Sequence, residues 1–215
     1  MAYEKEVKNY ILDNSHFFVK QPGMCRIYFE KAICFGNTIT DCLIFDKTNL
    51  EIGIEIKTKH DNTKRLAKQL TDYVRVCDYV WVFIHESLLY EVSDIIDRLG
   101  LDCVGIISYV EINDEIIGAV YRPAYYNNKS SVYLAYQMLW STELKVLAKA
   151  LVKSNGNTLK SVGTTKKRYI QYIVKSLGKE VAKQYLISFI LSGQGDPNKV
   201  TNEYKFANDG FIFRR

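Results

Sequence analysis

Residues 50–58 (LEIGIEIKT) alternate strictly, with Ile52, Ile54 and Ile56 on one face and Gly53, Glu55 and Lys57 on the other. This period of two is that of a β-strand. Residues 38–46 (TITDCLIFD) read as a second strand, with Asp41 on the face of Ile39, Leu43 and Phe45, and Asp46-Lys47-Thr48-Asn49 supplies a turn between the two, so 38–58 predicts a β-hairpin. Residues 25–30 (CRIYFE) predict a further strand. The run 79–84 (YVWVFI) is continuously apolar and too short for a helix, the signature of a strand buried on both faces. Strand 103–109 and an edge hairpin over 110–122, turning at Asn113-Asp114, complete the β-component. Helical spacing appears over 3–13 (Tyr3, Val7, Tyr10, Ile11), from about 62 to 77 (Leu66, Leu70, Tyr73, Val74, Cys77), and over 87–99. Asp61-Asn62 is positioned to cap the second of these. The order α-β-β-β-α-β-α-β predicts an α/β domain in which 50–84 forms a right-handed parallel crossover.

Residues 123–130 (PAYYNNKS) are polar and turn-rich, and beyond them the pattern is helical only. Helices are expected over 131–153 with a break at Ser141, over 165–177 on a stripe of Tyr169, Ile170, Ile173, Val174 and Leu177, and over 179–192. Gly178 ends the second of these. The expected division is a core domain over 1–125, a basic helical domain over 130–192, and a tail or small hairpin over 193–215.

Composition changes this picture in two respects. With 47% apolar residues the chain can build a packed core, yet no apolar run reaches the length of a membrane helix. No apolar secretion segment opens it, and five scattered cysteines form neither a disulfide framework nor a zinc pattern. These features predict a reducing cytoplasm and no membrane partner. Charge is unevenly placed: residues 1–129 carry 15 Lys and Arg against 19 Asp and Glu, whereas 130–215 carry 14 against 5. The basic segment is a candidate for contact with phosphates, and a solvated helical surface accounts for the same charge.

Chemistry concentrates on the predicted hairpin. A turn at 47–48 brings Asp41 close to Glu55, so two carboxylates and the Lys57 ammonium converge on one half-buried face. Neighbouring buried carboxylates repel each other, and a divalent cation relieves both burial and repulsion. Mg²⁺ accepts such a set together with waters and phosphate oxygens, and Lys57 can orient or deprotonate an attacking water.

The Asp41-x13-Glu55-Ile56-Lys57 arrangement resembles the signature of the PD-(D/E)xK nuclease superfamily, with Thr40-Asp41 in place of the proline–aspartate pair. The resemblance covers about residues 1–110 and extends to Gln69 and Tyr73, in one stripe with Arg65 on the helix after the lysine strand. It implies a restriction-endonuclease-like mixed sheet flanked by helices, to which the pattern beyond residue 130 adds a C-terminal all-helical subdomain. It further implies a Mg²⁺- or Mn²⁺-dependent hydrolysis of phosphodiester bonds, with DNA the expected substrate. Asp41 and Glu55 would hold metal, Lys57 would assist the water, Gln69 would position water or substrate, and Glu6 would add an acid from the first helix. Lys59, Lys64 and Arg65 beside the site, and Lys166, Lys167 and Arg168 opening a C-terminal helix, are the expected nucleic-acid contacts. A homodimer is compatible with this reading. Two rivals stand beside it: a non-catalytic nucleic-acid-binding module on the same fold, and a protein-interaction factor whose basic helices bind an acidic partner.

Overall fold

The computed structural model describes residues 4–18, 25–48, 50–154 and 162–192. Six strands form one sheet in chain order: β1 (Cys25–Ile33), β2 (Thr38–Asp46), β3 (Glu51–Lys57), β4 (Tyr79–His85), β5 (Val104–Ile112) and β6 (Glu115–Arg122). The first three strands are antiparallel, β3, β4 and β5 run parallel, and β6 returns antiparallel, so the sheet is mixed. The helices are α1 (Glu4–Asp13), α2 (Leu66–Val76), α3 (Leu89–Arg98), α4 (Val132–Ala135), α5 (Ser141–Ser154), α6 (Lys166–Leu177) and α7 (Lys179–Leu191). This is the expected α/β architecture with flanking helices and a helical C-terminal part.

The two faces of the sheet carry separate cores. Ile52, Ile54 and Ile56 of β3 pack with Trp81 and Phe83 of β4 beneath Val7 and Ile11 of α1. On the other face, Val80, Val82 and Ile84 meet Leu66, Leu70 and Tyr73 of α2 and Ile96 of α3. This is why β4 is apolar throughout: both of its faces are covered. The same second core takes in Leu144 and Leu147 of α5, Ile170 and Ile173 of α6, and Leu186 and Phe189 of α7. The change of composition near residue 125 therefore separates two patterns of secondary structure within one continuous packing unit. The Tyr136 hydroxyl donates to the Ala182 carbonyl at 2.7 Å, and Arg26 of β1 donates to the Ile190 carbonyl at 2.5 Å.

Several local expectations change. Strand β1 extends to Ile33, and β5 to Ile112, where Asn113 (φ 52°) and Asp114 (φ 64°) form the turn into β6. Two successive left-handed residues are what a tight hairpin requires. Asp61 does not cap α2; its carboxylate turns back to accept from the Thr58 N–H and hydroxyl, each at 2.7 Å. Helix α2 begins at Leu66 without a side-chain cap. The helix expected from 131 is already broken before Ser141, because α4 passes into a 3₁₀ turn over Tyr136–Met138. Gly178, at φ 73°, ends α6 as expected. The suggested hairpin over 193–215 lies outside the described residues.

Candidate functional site

Strands β2 and β3 pair from Phe45↔Glu51 to Cys42↔Ile54, and the ladder stops one residue short of Asp41 and Glu55. At that point the Asp41 side chain takes over from the backbone: the Ile56 N–H donates to Asp41 Oδ2 at 2.7 Å. On its outer side, β2 meets an irregularity in β1, whose pairing runs through Phe29↔Cys42 and resumes at Lys31↔Thr40. The opposed pair Glu30 and Asp41 is left out of the ladder with the register unchanged, and Glu30 has φ 57°.

Period-two alternation places Glu55 and Lys57 on the face covered by α2. Glu55 is fully buried and Lys57 is 8% exposed. Their side chains form a direct ion pair, Lys57 Nζ to Glu55 Oε1. Lys57 Nζ also donates to Gln69 Oε1 at 3.4 Å. Glu55 Oε2 is buried and has no hydrogen-bond partner. A buried carboxylate oxygen of this kind carries a desolvation cost that a cation would offset. Burial, reinforced by the neighbouring Glu55 carboxylate, pushes the Asp41 carboxyl up to about 7, against the pull of the Ile56 N–H and Lys57.

Tyr73 locks the two strands to the helix. Its hydroxyl accepts from the Asp41 N–H at 2.9 Å and donates to the Ile54 carbonyl at 3.3 Å. The ring reaches this position because residue 53 is glycine: a Cβ there would lie 2.5 Å from Tyr73 Cδ1 and 2.8 Å from Cys77 Sγ. Burial and the charges of Glu55 and Asp41 raise the Tyr73 hydroxyl well above its usual range, so it stays protonated and able to donate.

The stripe on α2 is thus partly realised. Gln69 and Tyr73 reach the site, and Arg65 is exposed at the helix start. Glu4 and Glu6 of α1 are both exposed, and the charge of Glu4 adds a minor influence on Asp41. Glu4 is held by Lys8 at 2.8 Å, and Lys8 also binds Glu30 at 2.9 Å. Lys59 and Lys64 are exposed on the loop that follows β3. Lys166, Lys167 and Arg168 lie apart from this loop, at the start of α6, where Lys166 Nζ donates to the Gln137 carbonyl at 2.6 Å and Lys167 and Arg168 are exposed.

A second buried group of charges, not singled out from the sequence, sits at the opposite end of β3. Asp78 is fully buried, pairs directly with Lys183 of α7, and accepts from the Ser130 hydroxyl at 3.0 Å and the Glu51 N–H at 2.9 Å. Burial, followed by the charge of Asp78, holds the Glu51 carboxyl well above the ordinary range. This group fastens the C-terminal helices to the sheet across 105 residues of chain.

Among the described residues no set of three His, Cys, Asp or Glu side chains is placed to hold a metal ion. Asp41 and Glu55 supply two carboxylates, and Mg²⁺ is commonly held by one or two carboxylates with waters and phosphate oxygens. The unpartnered Glu55 Oε2 and the raised Asp41 carboxyl are the features a cation would satisfy. No helix among them is long and apolar enough to cross a membrane.

Fold and site together define a mixed α/β protein with an acid–acid–lysine cluster on a β-hairpin, in which Glu55 and Lys57 are buried and Asp41 is half-buried. The chain belongs to the family described as Bacteriophage P4 protein cII, whose profile matches residues 1–200. No curated protein matches it. Among solved structures, the SPO1766 protein of unknown function from Silicibacter pomeroyi is similar over 74% of this chain and 97% of its own, with 12% identity and a TM-score of 0.45.

Proposed function

We propose that this protein is a Mg²⁺-dependent nuclease of the PD-(D/E)xK type, hydrolysing phosphodiester bonds, with DNA as the substrate. The observation that carries the reading is the half-buried Asp41 carboxyl beside the fully buried Glu55, whose Oε2 makes no hydrogen bond and whose Oε1 pairs with Lys57. Asp41 and Glu55 would hold the ion, which when bound supplies charge for the phosphate oxygens and lowers the pKa of a water. Tyr73 and the Ile56 N–H orient Asp41. Lys57, oriented by Gln69, directs the attacking water and carries positive charge toward the phosphate as negative charge develops. Lys59, Lys64 and Arg65 lie on the loop leaving the lysine strand, where they can meet the flanking backbone phosphates. The family match supports a phage-infected cell as the setting.

One observation favours a second reading, a non-catalytic nucleic-acid-binding module. Lys57 is already paired with Glu55, so its charge stabilises the buried acid whether or not a metal is present. The deciding experiment incubates the full chain with plasmid, linear, single-stranded and branched DNA, with and without Mg²⁺ or Mn²⁺, beside Lys57→Ala. Cation-dependent cleavage lost in the variant supports the nuclease. Binding of DNA with no cleavage of any substrate supports the module.

A further inference from the structure

Between β1 and β2 the chain turns through Cys34 (φ 48°) and Phe35 (φ 64°), two successive non-glycine residues in the left-handed region. Cys34 is buried and its thiol donates to the Asp72 carbonyl of α2 at 3.5 Å, which leaves the next side chain directed outward. Phe35 is 63% exposed. A left-handed backbone is disfavoured for a bulky side chain, and such positions persist where the surroundings impose them, often at ligand sites. Here the imposed conformation holds an aromatic ring out from the protein surface.

That ring borders an open groove of about 560 Å³ lined by Phe35, Tyr133, Gln137, Lys166, Lys167 and Gln171. Its lining offers aromatic rings, amides and two cations, and no carboxylate. Lys31 adds positive charge felt at Lys166, while Glu143 acts on that lysine in the opposite sense. Lys166 uses one of its three donors on the Gln137 carbonyl, which fixes the ammonium beside the groove. At the Phe35 end, Lys68 of α2 donates to the Asn37 carbonyl at 2.8 Å and the Thr38 hydroxyl at 3.2 Å. Lys68 is the chain neighbour of Gln69, and Thr38 lies three residues, roughly 10 Å, from Asp41 along β2.

We propose that this groove binds one strand of nucleic acid, with the Phe35 ring stacked on an unpaired base and Lys166 and Lys167 holding its phosphates, and leads that strand past Lys68 to the Asp41–Glu55–Lys57 site. The inference rests on the nuclease reading and narrows its substrate to one carrying a single-stranded segment. An exposed ring flanked by lysines fits a strand whose bases are free to stack, since the bases of a duplex are already stacked on one another. A protein partner would find no acid in this lining to match its own cations.

Fluorescence anisotropy of the full chain in EDTA tests binding without cleavage, using labelled oligo-dT, oligo-U and a DNA duplex of equal length. The first two distinguish DNA from RNA. Phe35→Asn removes the ring while suiting the left-handed backbone. It should weaken single-strand binding about tenfold, the scale of one lost base stack, and leave duplex binding unchanged. Lys167→Gln should lower the salt slope of single-strand binding by about 0.7, as one lost phosphate contact requires. Thermal melts should match the wild type, because both side chains are exposed. Single-strand affinity unchanged in Phe35→Asn, or a wild type that prefers duplex, overturns the proposal. Mg²⁺-dependent cleavage abolished by Lys57→Ala, with binding indifferent to Phe35, leaves the nuclease reading standing and removes the groove. Ring-dependent binding with no cleavage of any substrate supports the groove and removes the catalysis.

Discussion

Asp41 accepts a hydrogen bond from the backbone N–H of Ile56, the residue between Glu55 and Lys57, at 2.7 Å. The contact joins two strands just past the end of their ladder and sets the spacing of the three charged groups.

Replacing the lysine separates cation binding from chemistry. Lys57→Ala should abolish cleavage while Mg²⁺ binding, followed by calorimetric titration, survives, because a lysine is not a ligand. Removing the pairing cation leaves Glu55 buried without its partner, so the metal-free variant should be less stable by about 3–5 kcal/mol, with Mg²⁺ recovering part of the loss. Cleavage that persists in the variant would remove Lys57 from the mechanism.

The raised Asp41 carboxyl predicts a pH dependence. Its ordinary value is 3.8 and in the folded protein it titrates at about 7. Between these values the folded state holds more protons than the unfolded one. The contribution to stability is therefore complete below about pH 4 and is lost as pH rises through 7. Melting temperatures in EDTA should show this fall, and Asp41→Asn should flatten it and raise the melting temperature by a few degrees, roughly, at pH 7.5. The same variant should lose a ligand charge and with it Mg²⁺ binding. An unaltered pH slope in Asp41→Asn would place the titration elsewhere.

Tyr73→Phe deletes the hydroxyl that bonds Asp41 and Ile54. With the Asp41 N–H and the Ile54 carbonyl each deprived of a partner, denaturant unfolding should show a loss of about 1–3 kcal/mol. Cleavage should weaken more than the melting temperature suggests, because Asp41 loses an orienting contact. A variant that unfolds and cleaves like the wild type would show that the hydroxyl merely fills space.

Gly53→Ala tests the approach of α2 to β3. Its Cβ would fall 2.5 Å from the Tyr73 ring, so helix or ring must shift. A loss of about 1–3 kcal/mol is expected. It should be relieved when Tyr73→Leu is combined with it, since contacting residues do not act additively. Full additivity would mean that the ring and residue 53 do not conflict.

The far end of β3 makes a separate prediction. Lys183→Met should cost about 3–5 kcal/mol in denaturant unfolding, because it leaves Asp78 buried without its cation. Hydrogen exchange should show α7 opening first. An unchanged unfolding midpoint would show that the pair does not hold the helices to the sheet.

The sequence by itself determined the hairpin, the common face of Asp41, Glu55 and Lys57, and the buried character of β4. Each of these follows from a period of two or an unbroken apolar run, which neighbouring residues specify and any local reading detects. The C-terminal helices were legible for the same reason, since a stripe at helical spacing needs no knowledge of what it packs against. Only the tertiary structure decided that those helices share a core with the sheet, and that the change of composition near residue 125 is no boundary in packing. It alone placed Tyr73 on Asp41 and Lys183 on Asp78. It also turned Asp61 back to Thr58, because a short polar side chain takes the nearest unpaired backbone N–H, and which one is nearest depends on the path of the loop. Contacts of this kind join residues far apart in sequence through the geometry of packed elements, and no periodicity within either segment records the partner it will meet.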